Sequence, residues 1–215
     1  MKTYPLFLVN LDQRRCVVVG GGRVAARKVS SLRRADADVV VIAPKLGARL
    51  QQQVEAGDVH WLDRSYRSGD LEDAFLVIAA TDDPDINERV WREAEERGLL
   101  VNVVDDPAHC NFIAPSVVRR GPLTVAISTS GCCPALSRHV RQTLEETFGP
   151  AYADYVTLLA ELREETLDAL SMDERRALWQ EVFASDVLPL LASGEEEAAC
   201  KLAREILSHH LPQGS

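Results

Sequence analysis

The chain has 215 residues, of which 46% are hydrophobic and 27% charged, a composition typical of a globular protein with one domain plus an appendage or with two small domains. The net charge of −9 argues against a general affinity for nucleic acid, and no apolar run approaches the ~20 residues that span a membrane. The five cysteines form no even disulfide framework, so we expect free thiols and a cytoplasmic protein.

The N-terminal residues 1–11 contain a short apolar run with one positive charge. They lack the long hydrophobic region and the cleavage site of a signal peptide, and they predict an opening strand.

The next stretch, residues 15–25, organises the rest of the chain. A buried strand (Cys16 to Val19) leads into a glycine turn and then into a helix that begins near Arg23. Within this stretch the pattern G-x-G-x-x-A falls on Gly20, Gly22 and Ala25. In a dinucleotide-binding βαβ unit such residues allow a tight turn, a close approach to a pyrophosphate and close helix packing. The alternative is a tight turn with a purely structural role.

Strands and helices then alternate up to about residue 112. The short apolar runs predict strands that are buried on both faces, and a parallel sheet requires such strands. This rhythm predicts a Rossmann-like, doubly wound α/β fold. The predicted elements are helix 22–35, strand 39–43, a weak helix 46–56, strand 59–62, a helical turn 71–74, strand 75–80, a helix from 81 to about 97, and strand 100–104.

The rhythm changes after residue 112. Two β-like runs, 111–118 and 123–129, predict a hairpin, and a helix is expected from Ser130 to about Phe148. The remainder to Leu211 has helical periodicity, with breaks near Ser171, Ser185-Asp186 and Ser193-Gly194. The chain is therefore divided into residues 1–112, 113–147 and 148–215, the last a small helical C-terminal domain.

Ligands of open α/β sheets bind beyond the carboxyl ends of the strands, where the strand order reverses. Three such ends carry distinctive residues: 20–22, 81–83 and 102–106. Asp105 is expected near the reactive end of a bound cofactor, as a general base or as a ligand of a metal ion. The alternative for Asp105 and for Asp106 is a helix-capping or turn role before Pro107.

The cofactor pocket is assigned to these three strand ends. Thr81, Asp82 and Asn87 line it in one interpretation and merely cap a helix in the other. The acidic residue that usually holds the adenosine ribose is missing, so NAD cannot be distinguished from NADP at this position. The full set assigned to the cofactor is Gly20, Gly21, Gly22, Arg23, Val24, Ala43, Pro44, Thr81, Asp82, Asn87 and Val104.

Two further groups of residues have an uncertain role. His109 and Cys110, with Cys132 and Cys133, suggest zinc, but their spacing is poor and free thiols are the better explanation. A concentration of positive charge suggests a site for a polycarboxylate or, alternatively, an ordinary solvated surface. Its members are Arg119, Arg120, Arg138, His139 and Arg141.

Several motifs together resemble the precorrin-2 dehydrogenase/sirohydrochlorin ferrochelatase family, the N-terminal module of sirohaem synthase. They cover about residues 5–145. These motifs are Val-Val-Gly-Gly-Gly-Arg-Val-Ala-Ala-Arg-Lys (18–28), Ile-Ala-Ala-Thr-Asp-Asp (78–83) with Asn87, Asn-Val-Val-Asp (102–105), Phe-Ile-Ala-Pro-Ser (112–116), and Leu-Thr-Val-Ala-Ile-Ser-Thr-Ser-Gly (123–131) with Pro-Ala-Leu (134–136).

The resemblance implies NAD⁺-dependent oxidation of the tetrapyrrole precorrin-2 to sirohydrochlorin and, in bifunctional members, insertion of Fe²⁺ or Co²⁺. It also implies a homodimer that forms through residues 113–147. Asp105 matches the catalytic aspartate, which is assigned to proton removal and to metal chelation, where His109 is a second candidate ligand. Ser128 matches a residue on the substrate side.

The substrate's eight carboxylates would give the arginines a purpose, and we assign Ser128, Asn111, Arg119, Arg120 and Arg138 to substrate binding. Asp106 and the sequence Gly-Cys-Cys-Pro (131–134) depart from the family pattern. Two alternatives stay open: a dehydrogenase without chelatase activity, and a non-catalytic protein that senses NAD(H) or a tetrapyrrole.

Overall fold

The computed structural model describes residues 2–212, and the chain divides into two compact units, Met1–Ala114 and Pro115–Ser215. The elements of the first unit are β1 (Arg15–Val19), α1 (Arg23–Arg33), β2 (Asp38–Ile42), α2 (Ala48–Glu55), β3 (His60–Leu62), β4 (Leu76–Ala79), α3 (Pro84–Glu96), β5 (Leu100–Val103) and a 3₁₀ turn (Pro107–His109). The five strands form a parallel sheet in the order β3-β2-β1-β4-β5. The order reverses between β1 and β4, so the predicted Rossmann-like fold is confirmed.

The central strands are buried on both faces because alternate side chains enter two different cores. Cys16 and Val18 of β1 pack on the side of α1 and α2, where Val29 and Leu50 are fully buried. Val17 and Val19 face the opposite side, which is covered by α3. The apolar runs of the sequence are continuous because the strands of this parallel sheet are buried on both faces.

The predicted opening strand is wrong for its described part, residues 2–11. These residues form no strand, and burial begins only at Leu11. The reason is that no strand pairs with them: the first pairing is an isolated bridge between Asp12 and Ala37. Met1 lies outside the described residues.

The second unit begins with an antiparallel hairpin, β6 (Ser116–Arg120) and β7 (Leu123–Ile127). The first strand starts five residues later than predicted, because Pro115 has no N–H to donate and Asn111 is bonded to β5. Helices then follow: α4 (Pro134–Thr147), α5 (Tyr152–Thr166), α6 (Met172–Ala184), α7 (Val187–Ser193) and α8 (Glu196–His210).

The predicted helix breaks are confirmed. Ser171 begins α6 with a capping box that includes Glu174, and Gly194 ends α7 in the left-handed region. The helix expected from Ser130 begins only at Pro134, because Ser130 and Gly131 have positive φ. Within residues 2–212, no helix is long and apolar enough to cross a bilayer. The division at residue 147 stays a prediction.

Candidate functional site

Two glycines of the turn after β1 are required by the protein's own backbone. Gly20 has φ +126°, and a Cβ placed on it would lie 2.3 Å from the Ala80 carbonyl oxygen. A Cβ on Gly21 would lie 1.9 Å from the carbonyl oxygen of Lys45. These two glycines let the ends of β1, β2 and β4 approach each other closely.

Gly22 is different, because a Cβ on it would meet no atom within 4 Å. It precedes α1, which has no side-chain cap and no acidic residue in its first turn. The first intrahelical bond runs from Ala26 N–H to Gly22 C=O, so the N–H groups of Arg23, Val24 and Ala25 are left at the open end. Open space, free donors and the positive end of the helix dipole fit a pyrophosphate.

The end of β2 carries no acidic residue. Ala43 is buried, and its carbonyl oxygen accepts a hydrogen bond of 2.9 Å from the indole N–H of Trp61. Pro44 and Lys45 are exposed beyond it. This position therefore offers a ribose an apolar ring and an ammonium group, and the geometry leaves the choice between NAD and NADP open.

The end of β4 is fixed by its own polar groups. The Thr81 hydroxyl donates to Asn87 Oδ1 at 2.8 Å, and Asn87 Nδ2 donates to the Thr81 carbonyl at 3.0 Å. Asp83 is the N-cap of α3 and accepts from the N–H of Asp85. Thr81 and Asn87 therefore hold the loop in shape, while the carboxylate of Asp82 is exposed.

Asp105 follows β5 with φ +61°. Aspartate tolerates this left-handed region better than most residues, and strained backbone conformations cluster at active sites. The residue is exposed, and its carboxylate makes no hydrogen bond or ion pair with any residue of the described chain. This carboxylate is free to act on a ligand.

The neighbouring carboxylate is already engaged. Asp106 lies 2.6 Å from His109 Nδ1, and Glu88 lies 3.5 Å from Nε2 of the same ring, which also packs on Trp91. The hydrogen bond with the imidazole lowers the pKa of Asp106, and the same bond raises the pKa of His109. These residues border a cavity of about 460 Å³ lined by Pro84, Asp85, Asn87, Glu88, Val103, Val104, Asp106 and His109.

His109 therefore has two carboxylate partners, and its assignment as a metal ligand stays a prediction. Within residues 2–212, no group of three or more histidine, cysteine or acidic side chains is placed to hold a metal ion. The Cys110 thiol donates to the carbonyls of Val103 and Asp106, and burial raises its pKa. Cys110 supports the loop after β5.

Asn111, which was assigned to substrate binding, is bonded to the β5 segment. Its side-chain oxygen accepts from Val101 N–H at 2.8 Å, and its amide donates to the Leu99 carbonyl at 2.7 Å. Each polar atom makes one bond to the β5 segment, so the side chain ties the loop to that strand. Asn111 is exposed and keeps one N–H and one lone pair, so its assignment to substrate binding stays a prediction.

Two polar residues near the end of β5 were not assigned to the site from the sequence. Lys28 is half-buried, its Nζ lies 3.5 Å from Asn102 Oδ1, and burial lowers its pKa. Asn102 is buried and also donates to the Phe112 carbonyl at 3.0 Å. A signal was present, because Lys28 falls on the apolar stripe of α1 and Asn102 interrupts an apolar strand.

In the second unit the proposed substrate residues differ in how they are used. Arg120 donates to the carbonyls of Phe148 at 2.7 Å and Glu145 at 2.9 Å, and it thereby caps the end of α4. Arg119 and Arg138 are exposed, and the Ser128 hydroxyl accepts from Ser130 N–H at 3.0 Å. Arg120 is therefore structural, while Arg119, Arg138 and Ser128 stay proposed substrate residues.

Three successive segments of the chain match models of known protein families. Residues 7–116 match a family described as NAD(P)-binding, residues 120–147 a family described as "Sirohaem biosynthesis protein central", and residues 151–207 the "Sirohaem synthase dimerisation region". Together the three matches run along nearly the whole chain. The first match covers half of the chain, so the chain belongs to this NAD(P)-binding family, and its remainder is similar to the central and dimerisation regions of sirohaem synthases.

Individual relatives agree with these matches. It is 41% identical over 209 residues to a siroheme synthase of Methylobacillus flagellatus, covering 97% of this chain and 44% of that protein. It is 40% identical over 215 residues to the siroheme synthase of Photorhabdus laumondii, covering 100% of this chain and 46% of that protein. The chain therefore spans less than half the length of these relatives.

A solved structure agrees over the whole fold. The structure of "SirC, precorrin-2 dehydrogenase" superimposes with a TM-score of 0.77 at 25% identity and covers 97% of this chain and 98% of that chain. The likeness includes the parallel sheet, the hairpin and the C-terminal helices.

Proposed function

We propose that the protein is an NAD⁺-dependent dehydrogenase that oxidises precorrin-2 to sirohydrochlorin. The observation that carries this proposal is the pairing of an open phosphate cradle after β1 with the unpaired Asp105 carboxylate after β5, both at the carboxyl edge of one sheet. Similarity to siroheme synthases and to SirC supports the choice of substrate.

The residues of the cradle have separate tasks. The N–H groups at the start of α1 bind the pyrophosphate, and Gly22 leaves the room for it. The Thr81–Asn87 pair holds the wall of the pocket rigid. When bound, NAD⁺ supplies a hydride acceptor.

Asp105 supplies the base. Oxidation of the reduced macrocycle removes a hydride and a proton, and a free carboxylate beside the acceptor takes the proton. Since Asp106 is bonded to His109, it is the weaker candidate. On the substrate side, Arg119, Arg138 and Ser128 bind acidic side chains of the macrocycle.

The proposal extends to the assembly and the compartment. The chain forms a homodimer, which is supported by the match of residues 151–207 to the dimerisation region of sirohaem synthases. The assignment of the interface to residues 113–147 stays a prediction. The five cysteines are free thiols, which suits the reducing cytoplasm.

Insertion of Fe²⁺ or Co²⁺ into the product is a second, separate proposal. Asp105 is the carboxylate available for it, and the macrocycle nitrogens supply the remaining ligands of the substrate metal. The two activities need separate assays, because proton removal and metal transfer use the same side chain.

The test is an anaerobic assay of the purified protein with precorrin-2 and either NAD⁺ or NADP⁺. NADH and the sirohydrochlorin spectrum are expected to appear together, faster with NAD⁺, and Fe²⁺ or Co²⁺ is added afterwards to score metal insertion. Bound NAD⁺ without NADH formation would contradict the enzyme and favour a sensor. Sirohydrochlorin that never takes up metal would leave a dehydrogenase alone.

A further inference from the structure

The N-terminal apolar segment, Tyr4–Val9, leaves an unusual amount of apolar surface uncovered. Tyr4 is 86% exposed, Phe7 64% and Val9 74%. None of its six residues makes a hydrogen bond with any part of the described chain, 2–212. An exposed apolar segment without hydrogen bonds marks an interaction site.

Its sequence has the pattern of a strand that is covered on both faces. In an extended chain Leu6 and Leu8 point to one side, while Phe7 and Val9 point to the other. Exposed strands usually alternate apolar with polar residues, and this segment does not. The segment is therefore suited to pair with another strand and to pack against apolar surface on both of its faces.

The hairpin of the second unit has a matching open edge. Strand β7 pairs with β6, and no other backbone segment among residues 2–212 pairs with its outer edge. β6 carries Arg119 and Arg120, which protect an edge by charge, but β7 contains no charged residue. A two-stranded hairpin alone is also marginally stable, so a third strand would stabilise it.

We propose that the N-terminal apolar segment of one copy pairs with the outer edge of β7 in a second copy. The inference rests on the proposed homodimer. Two-fold symmetry makes it self-consistent, since each copy donates one segment and receives the other. The hairpin becomes a three-stranded sheet, and Pro5, which has no N–H, lies at the start of the added strand, where proline is tolerated.

The surface involved is of useful size. Tyr4 and Phe7 together expose about 300 Å², to which Leu6 and Val9 add, whereas a stable interface buries about 800 Å² on each partner. The segment is thus a substantial part of an interface, and the surface of residues 113–147 and 151–207 supplies the remainder.

Amide hydrogen exchange of the full chain tests the pairing directly. At concentrations where sedimentation shows a dimer, alternate amides within residues 6–9 are expected to be protected, because only every second N–H of an added strand faces its neighbour. The protection should disappear on dilution to monomer. Uniform, intrinsic exchange of these amides in a dimer would overturn the inference and leave the homodimer standing.

A photo-cross-linker at position 7 identifies the partner. In dimers mixed from isotope-labelled and unlabelled chains, the expected cross-links join the segment of one label to residues 123–127 of the other. Links within one label without any link between labels, or links to another surface, would overturn the inference. A chain that stays monomeric at every concentration would overturn it together with the homodimer.

Matched variants separate assembly from chemistry. Phe7→Asp is expected to weaken dimerisation at least tenfold, whereas Phe7→Leu keeps the apolar side chain and should dimerise like the wild type. Equal dimerisation of all three proteins would contradict the pairing. Whether NAD⁺ binds to the isolated monomer is then measured separately, so a failure of the dehydrogenase proposal stays distinguishable.

Discussion

The two compact units differ in how some of their polar groups at the ends of strands and helices are used. In the first, the strand ends leave groups without a hydrogen bond or ion pair within the described chain: the N–H groups at the start of α1 and the carboxylate of Asp105. In the second, Arg120 caps a helix and Arg141 pairs with Glu145. Free groups at a rigid sheet edge are suited to chemistry, whereas groups bonded internally maintain the structure.

Substitutions at the adjacent residues Asp105 and Asp106 test this comparison most strongly. Asp105→Asn is expected to lower kcat by about 10²–10⁴-fold, because it removes the general base. Its carboxylate makes no hydrogen bond or ion pair with the described chain and interacts with Lys28 only over a longer distance, so the melting temperature and the NAD⁺ affinity should be nearly unchanged. Steady-state kinetics, calorimetry and thermal unfolding provide the three readouts.

Asp106→Asn is the matched control. It removes the charged partner of His109, so the pKa of that imidazole should fall toward its ordinary value in an NMR titration, with a much smaller loss of kcat. If Asp106→Asn lost as much activity as Asp105→Asn, the assignment of the base to the unpaired carboxylate would be wrong.

Gly20 and Gly22 separate folding from binding within one turn. Gly20→Ala is expected to destabilise the fold by about 2–4 kcal/mol, because the new methyl group would press on Ala80 at a positive φ. Gly22→Ala meets no protein atom, so it should leave the unfolding curve nearly unchanged and weaken NAD⁺ binding about tenfold or more. Unchanged NAD⁺ affinity in Gly22→Ala would contradict the cradle.

Glu93 shows that the first unit also contains purely structural polar groups. The buried carboxylate accepts from the Tyr66 hydroxyl, from Gly69 N–H and Leu71 N–H, and lies 3.0 Å from Arg97. Glu93→Gln is expected to cost about 2 kcal/mol in the free energy of unfolding and to leave NAD⁺ affinity unchanged. Chemical denaturation measures the first and calorimetry the second.

The pH dependence of this cost has a definite sign. Burial disfavours the charged form of Glu93, but the hydrogen bonds from Tyr66 and the two backbone N–H groups outweigh it, so the pKa is lowered. The stabilisation is therefore present above the unfolded pKa of about 4.3 and is lost as the pH falls through the lower folded pKa. A difference between wild type and Glu93→Gln that grew on acidification would contradict the network.

The smallest effects are expected in the second unit. Arg120→Ala should lower the free energy of unfolding by about 1–2 kcal/mol through the loss of two bonds to α4, with kcat unchanged. Arg119→Ala should leave stability unchanged and raise KM for precorrin-2 about two- to fivefold, the range of an exposed ion pair. A loss of stability in Arg119→Ala together with a raised KM in Arg120→Ala would reverse the roles given to these two arginines.

Most of the fold was predictable because its signals are local. The apolar runs and the glycine turn predict a parallel sheet, and serine and glycine positions predict the helix breaks. The opening strand was wrong because pairing depends on an edge elsewhere, which the apolar residues 4–9 do not reveal. Their exposure is the observation that points to a second copy.

The positions of the strand ends were predictable from the sequence, but the hydrogen bonds of the polar groups around them were not. The strand ends follow from topology, so Gly22, Thr81 and Asp105 could be placed from the sequence. The sequence could not show which polar side chains are hydrogen-bonded within the protein, because Asn111 and Arg120 bond to backbone atoms 10 to 28 residues away. Hydrogen bonds of that span leave no pattern in the sequence.

The central claim is that hydride acceptor and base act together at one sheet edge, and a single-turnover experiment tests it most directly. Enzyme in excess over precorrin-2 is mixed anaerobically with NAD⁺, and NADH absorbance and the sirohydrochlorin spectrum are followed together. The account predicts equal amounts of both products, rising at one rate. Sirohydrochlorin without NADH, or bound NAD⁺ with neither product, would contradict it.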